Sequence, residues 1–340
     1  MTAASASARE SIAGIAVPTF DEIASRHHGL ASWVVRTPVF EKHDFFSLED
    51  TPVQFKFELL QVSGSFRARA AFSNLLSLSD AERGVGVTCM SPGNHAVALA
   101  YAANRLGVDA KVVMLKTAAK VRIEACRRLG AEIVYADDTT QAYETAMRLT
   151  VDEGRRLVHP FSGYQTMLGN ATLGYEWATQ SADLDAVIVP VGGGGLAASL
   201  ALAFQGAHPD CAVYGVEPAH ANVLSRSLAA GHPVKLDGMT SIADSLMTPF
   251  TEPYSFELCR RYLTDVVTVS DDALAVAMLR LFEQLKLAVE PACAAPLAAL
   301  LGPLRVRLAG QRVGLLLCGS NIDPDLFSRL LLRGQSLVQG

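Results

Sequence analysis

Short apolar, β-branched runs alternate along this chain with longer Ala- and Leu-rich stretches of helical period. Residues 86–89 precede 94–106, 110–114 precede 119–129, and 132–134 precede 140–153. A second series follows, with 186–190 before 196–205, 212–216 before 221–230, and a last run at 313–317. Strands separated by helices can pair in the same direction, so this alternation predicts an α/β fold on parallel sheets. Gly and Pro fall between the elements, where short connections need them. With 340 residues, 50% of them hydrophobic, the chain can bury a large core. No repeat, low-complexity segment or long linker interrupts it, which predicts lobes packed together rather than tethered. The first 17 residues, rich in Ala and Ser, read as a frayed arm ahead of an amphipathic helix near residues 20–28.

Lys and Arg number 29 against 34 Asp and Glu, a net charge of -5 with no basic block, so nothing marks a nucleic-acid surface. Apolar runs such as 186–191 and 313–318 fall far short of the ~20 residues of a membrane helix, and no span is expected. The six cysteines show no zinc or CxxC spacing, and the N-terminal stretch has neither a positive nor an apolar signal region. A cytoplasmic protein with a small-molecule partner is the expectation.

Three segments carry chemistry. The apolar run from Val187 enters four glycines, Gly192, Gly193, Gly194 and Gly195, followed by Leu196 and an Ala-rich helix. Glycines let backbone N–H groups converge, and a helix start favours an anion, so the run suits a single phosphate; a flexible tight turn is the alternative. It matches neither the P-loop nor a clean dinucleotide fingerprint. Ser91-Pro92-Gly93-Asn94-His95 lies where a strand opens onto a helix, and either Ser91 or Asn94 can cap that helix while free N–H groups take a carboxylate. Third comes Lys56-Phe57-Glu58-Leu59-Leu60-Gln61, then Ser65-Phe66-Arg67-Ala68-Arg69-Ala70-Ala71.

With Glu290-Pro291 and Cys318-Gly319-Ser320-Asn321 in order behind them, these segments resemble the serine/threonine dehydratases, ammonia-lyases among the fold-type II pyridoxal phosphate enzymes, from about Pro18 to Pro324. The family has Ser-Phe-Lys-x-Arg-Gly-Ala; here Arg67 stands at the Schiff-base lysine and Ala70 at the glycine. The resemblance implies two open parallel-sheet lobes of the tryptophan synthase beta-like type, with the cofactor cleft between them. It implies a large domain from residues 1–85 and 164–340, a small domain of residues 86–163 inserted in it, and a homodimer. It implies that Phe66 backs the pyridine ring, that Asn94 meets the phenolic oxygen, and that Gly192, Gly193, Gly194, Gly195 and Leu196 hold the phosphate. Ser91, Gly93 and His95 would surround the substrate carboxylate. Cys318 would face the pyridine nitrogen, a neutral partner that favours β-elimination, with core packing as its alternative. Glu290 would lie nearby, or be a charge at a loop start.

The reaction this implies is dehydration and deamination of a serine/threonine-like 3-hydroxy amino acid to a 2-oxo acid and ammonia. Pro92 carries no transferable proton where racemases have a serine, which disfavours racemisation. Arg67 cannot do the lysine's work, because its lone pair is delocalised and its pKa exceeds ~12, so the chain is predicted to hold cofactor without turnover. A deliberate lysine-to-arginine exchange fits the surviving motifs better than natural divergence into a non-catalytic binder of cofactor or amino acid; a β-replacement enzyme is a third reading. Of the seven lysines, Lys56 is nearest in sequence and reads as structural or snorkelling. The relatives' metal site maps to Glu217, Ala221 and Val223, too poor in carboxylates to expect a metal. Leu168-Gly169-Asn170-Ala171-Thr172 departs from the family's Ala-Gly-Gln-Gly-Thr. The chain ends soon after Cys318, which predicts no regulatory domain.

Overall fold

The apolar runs pair into two main sheets in a computed structural model that describes residues 9–42, 48, 51–181 and 183–339. The larger sheet has six strands in the order β11 (Asp265–Val269), β10 (Ala212–Pro218), β9 (Ala186–Pro190), β12 (Val313–Leu316), β4 (Val53–Lys56) and β3 (Val39–Lys42). Its first five strands are parallel. The smaller sheet is wholly parallel, in the order β7 (Glu132–Ala136), β6 (Ala110–Leu115), β5 (Val87–Met90) and β8 (Arg156–Leu157). Strands β9, β12 and β4 are buried along their whole length, which is why they read as unbroken apolar runs rather than as alternating ones.

Helices cover the sheets as βα units require. Tyr164–Gln180 and Gly195–Ala207 lie against each other so closely that a Cβ on Gly174 would sit 2.7 Å from that of Ala203. Trp177 fills the large core, and its indole N–H donates to Gln54 at 2.9 Å. The helix Arg67–Leu76 contributes Ala68, Ala71, Phe72 and Leu75 to the core of the smaller sheet, together with Val87, Cys89 and the helix Asn94–Leu106. Arg67 is thereby left at the boundary between the lobes.

One sequence expectation needs correction, and two details of the larger sheet add to the rest. The arm is not frayed throughout: β1 (Ser11–Ile12) pairs antiparallel with β2 (Ile15–Ala16), turning through Ala13 and Gly14 at φ of 50° and 77°. Burial of Ile12 and Val17, and a 2.6 Å bond from the Tyr254 hydroxyl to the Ala16 carbonyl, pin this hairpin; residues 1–8 lie outside the described residues. The larger sheet is not purely parallel, because β3 closes its edge antiparallel to β4. Finally, the Lys56 strand stops at Lys56, and Glu58 falls in a 3₁₀ turn, Glu58–Leu60.

Candidate active site

Parallel strands end at one edge of a sheet, so the turns that follow them gather there. Four helices begin around a single cleft of about 440 Å³: Arg67–Leu76, Asn94–Leu106, Gly195–Ala207 and Pro291–Leu301. None of the four has a side-chain cap. Of the other helices, four are capped, by Thr19, Ser79, Asp138 and Ser270, and Lys120–Arg128, Tyr164–Gln180, Val223–Ala230 and Pro253–Tyr262 are not, so it is convergence on one cleft that distinguishes the first four. Uncapped first turns aimed at one cavity make it a place for anions. All the sequence-predicted residues line this cleft: Phe66 and Arg67; Ser91, Gly93, Asn94 and His95; Gly192, Gly193, Gly194, Gly195 and Leu196; and Glu290 with Cys318.

The glycine run is a packed structure rather than a loose turn. A Cβ on Gly193 would stand 2.5 Å from the Phe161 ring, and one on Gly195 would stand 2.3 Å from the Phe161 carbonyl oxygen. Gly194 caps its helix at φ 87°. Thr251 Oγ1 donates to the Gly193 carbonyl at 3.0 Å and Ser255 Oγ to the Phe161 carbonyl at 2.6 Å, fixing both sides of the cradle.

At the second junction neither Ser91 nor Asn94 is the N-cap; Gly93 is. Ser91 Oγ accepts the Gly93 N–H at 3.1 Å, one residue ahead of the helix. The Asn94 side chain is drawn across the cleft, where Nδ2 donates to both Glu290 oxygens at 2.8 and 2.9 Å and Oδ1 accepts from Asn321 at 2.8 Å. His95 Nε2 lies 2.9 Å from the Val158 carbonyl, which can only accept, so the proton sits on Nε2 and Nδ1 is a buried lone pair with no partner. Burial, reinforced by the Arg67 charge, lowers this imidazole to about 3, keeping it neutral. Burial raises the Glu290 carboxyl, while Arg122 and Asn94 oppose it. The thiol of Cys318, hydrogen-bonded to Cys293 and buried, is held well above its ordinary value and is neutral.

Arg67 is half-buried at the cleft, its guanidinium carbon 4.7 Å over the Phe66 ring and Nη1 donating to the Pro160 carbonyl. Burial lowers it to about 10, against the raising effect of Cys318 and Glu290, so it remains a cation at neutral pH. Among the described residues no lysine lines the cleft. Lys56 does not snorkel: it is fully buried in an ion network, donating to Glu176 at 2.5 Å, Gln180 at 2.7 Å and the Thr37 carbonyl at 2.8 Å. Arg69 and Glu58 complete that network with a two-point contact at 2.9 and 2.8 Å. Glu217 is spent on the backbone N–H groups of Leu224 and Ser225 and on the Ser225 hydroxyl.

Several cleft residues escaped the motif search. Arg122, Phe161, Asp244, Met247 and Phe250 all line it, and Phe161 meets Phe250 edge-on at 6.1 Å. None of these positions carried a local sequence signal, because each reaches the cleft only through tertiary packing.

Residues 30–319 match the family described as pyridoxal-phosphate dependent enzymes. This chain belongs to that family. It is 56% identical over 315 residues to a phenylserine dehydratase of Ralstonia pickettii, covering 93% of this chain and 97% of that protein. An L-threo-3-hydroxyaspartate ammonia-lyase of a Pseudomonas sp is 35% identical over 309 residues, 91% of this chain and 96% of that one. The solved structure of maize serine racemase superposes with a TM-score of 0.87 at 29% identity, covering 94% of this chain and 99% of that chain. The family's cofactor is pyridoxal phosphate, and the cleft fits it at the phosphate end. The glycine cradle leaves no room for side chains, and it opens an uncapped helix towards the cavity. Residue 67 at the cleft is an arginine, which carries no primary amine.

Proposed function

We propose that this chain is a pyridoxal phosphate-dependent dehydratase and ammonia-lyase for 3-hydroxy amino acids with a bulky, aromatic β-substituent, held without turnover by Arg67. The observation that carries the reading is the meeting of four uncapped helix starts and Arg67 at one cleft that, among the described residues, no lysine lines. The aromatic preference is supported by the phenylserine dehydratase similarity and by the apolar part of the lining, Phe161, Phe250, Met239, Met247 and Leu115.

In this reading Gly192, Gly193, Gly194, Gly195 and Leu196 would hold the cofactor phosphate on backbone N–H groups, Phe66 would back the ring, and Cys318 would meet its nitrogen as a neutral group. When bound, pyridoxal phosphate supplies an electron sink for charge developing at the substrate Cα. The chain's own residues do the rest. Ser91, Gly93 and His95 receive the substrate carboxylate, His95 through its backbone N–H, since its ring presents a lone pair there. Asn94, gripped by Glu290, would lie beside the ring of a bound cofactor. Pro92 has no proton to give from the second face, which favours elimination over racemisation. Arg67 stays protonated and cannot accept the Cα proton. The proposed domain division is residues 1–85 with 164–340, and 86–163 between them; the proposed form is a cytoplasmic homodimer.

The test is an Arg67→Lys protein given pyridoxal phosphate and a panel of phenylserine, threonine and serine. Release of ammonia and a 2-oxo acid, fastest from phenylserine, is expected. Cofactor binding by both proteins with no product from any substrate would favour the second reading, a non-catalytic binder, for which Arg67 itself is the motive.

A further inference from the structure

Arg122 belongs to no motif, yet it is 3% exposed and reaches from the smaller lobe into the larger one at three places. It sits in the helix Lys120–Arg128. Its Nη1 and Nη2 donate to Asp244 at 2.5 and 3.3 Å, Nη2 also donates to Glu290 at 3.2 Å, and Nε donates to the Asn321 carbonyl at 3.1 Å. The neighbouring Val121 N–H adds a bond to Asp323 at 3.1 Å. Glu290 in turn grips Asn94 with both oxygens, and Asn321 holds the other end of the same amide. A continuous polar chain therefore runs along the cleft lining from Asp244 through Arg122 and Glu290 to Asn94, the first residue of the helix Asn94–Leu106.

We propose that Arg122 is a positioning residue, clasping the two lobes and fixing the Glu290 carboxylate so that Asn94 and the carboxylate-receiving turn beside it are presented in one orientation. The inference rests on the reading of the cleft as a hydroxy-amino-acid lyase site. A planar guanidinium suits the task, since one rigid fork meets two carboxylates and a carbonyl together, whereas a lysine is a single point charge. The groups facing Glu290 are Arg122, Asn94, Ser245 and Asp244, with the Arg67 cation and the neutral Cys318 thiol beyond. Burial already favours the neutral acid, and removing Arg122 takes away the first of the two groups opposing this. Without Arg122, Glu290 is more readily protonated, and on protonation the Asn94 amide loses its ionic acceptor.

Two variants, Arg122→Met and Arg122→Lys, test this in two settings. In the Arg67→Lys background, Arg122→Met is expected to raise KM for the amino acid about tenfold while kcat changes by less than about threefold. Its kcat/KM should rise with pH more steeply than that of the Arg67→Lys parent, and Arg122→Lys should recover part of the loss. In the chain as it stands, Arg122→Met should speed hydrogen exchange about fivefold or more at residues 94–98 and 242–248 and leave β9 protected. Unchanged KM with the parental pH profile, or unchanged exchange in both segments, overturns the clasp. If Arg122→Met does not fold, Arg122→Lys decides, with an intermediate KM and intermediate exchange expected and parental values counting against. Should the Arg67→Lys parent itself show no activity, the lyase reading fails and the exchange measurement still judges the clasp.

Discussion

Replacing Gly195 with alanine perturbs the cofactor cradle at its tightest point. The new Cβ would lie 2.3 Å from the Phe161 carbonyl oxygen and 2.8 Å from its Cα, both backbone atoms. Ordinary contact begins near 3.4 Å, so Phe161 and the start of the helix Gly195–Ala207 must separate by about 1 Å. The Phe161 carbonyl is held by Ser255, its ring lies over Gly193, and the preceding carbonyl, of Pro160, accepts from Arg67. Overpacking costs about 1–3 kcal/mol and a lost buried hydrogen bond about 1 kcal/mol more, a total of about 2–4 kcal/mol. If the shift also costs one charge-assisted bond to the phosphate, at about 1.5–3 kcal/mol, cofactor affinity falls by roughly 10- to 100-fold. Urea unfolding and a spectrophotometric titration with pyridoxal phosphate read the two effects. Gly29→Ala is the control, since a Cβ there meets nothing within 4 Å and the site is helical. A Gly195→Ala protein with unchanged unfolding midpoint and unchanged cofactor affinity would refute the cradle.

The buried ion network, the histidines His95 and His159 and the aromatic wall each give a further expectation. Lys56→Met leaves Glu176 short of a fully buried cation and should destabilise the fold by about 3–5 kcal/mol in urea unfolding; a loss below about 1 kcal/mol would mean the network is not the support it looks to be. Burial lowers His95 to about 3 and His159 to about 4 in the folded chain, from 6.5. Below about pH 6.5 the unfolded chain binds these protons and the folded chain does not, so stability, complete above that range, falls with pH by about 1.4 kcal/mol per unit for each histidine. In thermal melts between about pH 7 and about pH 5, His95→Gln should lose its own share of this slope, about 1.4 kcal/mol per unit relative to the parent, while Glu217, raised by burial to about 7, works in the opposite sense in both proteins. In the Arg67→Lys background, Phe250→Ala should lower the preference for phenylserine over threonine by about tenfold in kcat/KM; an unchanged ratio would remove Phe250 from the specificity wall.

How much was legible in the sequence follows from how local each signal is. The parallel lobes could be read because β9, β12 and β4 are buried on both faces and spell continuous apolar runs. The glycine cradle and Arg67 were visible because each lies within one strand-to-helix junction. Asn94 was read as a possible cap on local grounds, and it was tertiary partners nearly 200 residues away, at Glu290, that took its side chain. Arg122 left no trace for the same reason, its acceptors being at positions 244, 290 and 321. The hairpin at β1 and β2 was hidden by the Ala- and Ser-rich composition around it, although Ala13-Gly14 between isoleucines is a turn signal. Lys56 misled in the other direction: a strand-end lysine usually reaches water, and here three acceptors inside the core replace it.

Borohydride reduction of the cofactor-loaded protein, followed by peptide mass mapping, locates whichever amine pyridoxal phosphate has condensed with. The Arg67→Lys protein should carry the cofactor mass at position 67, and the chain with arginine there should bind cofactor yet leave that peptide unlabelled. A label at Lys56 or any other lysine, or failure of both proteins to retain cofactor, would contradict a cleft built to hold this group against residue 67.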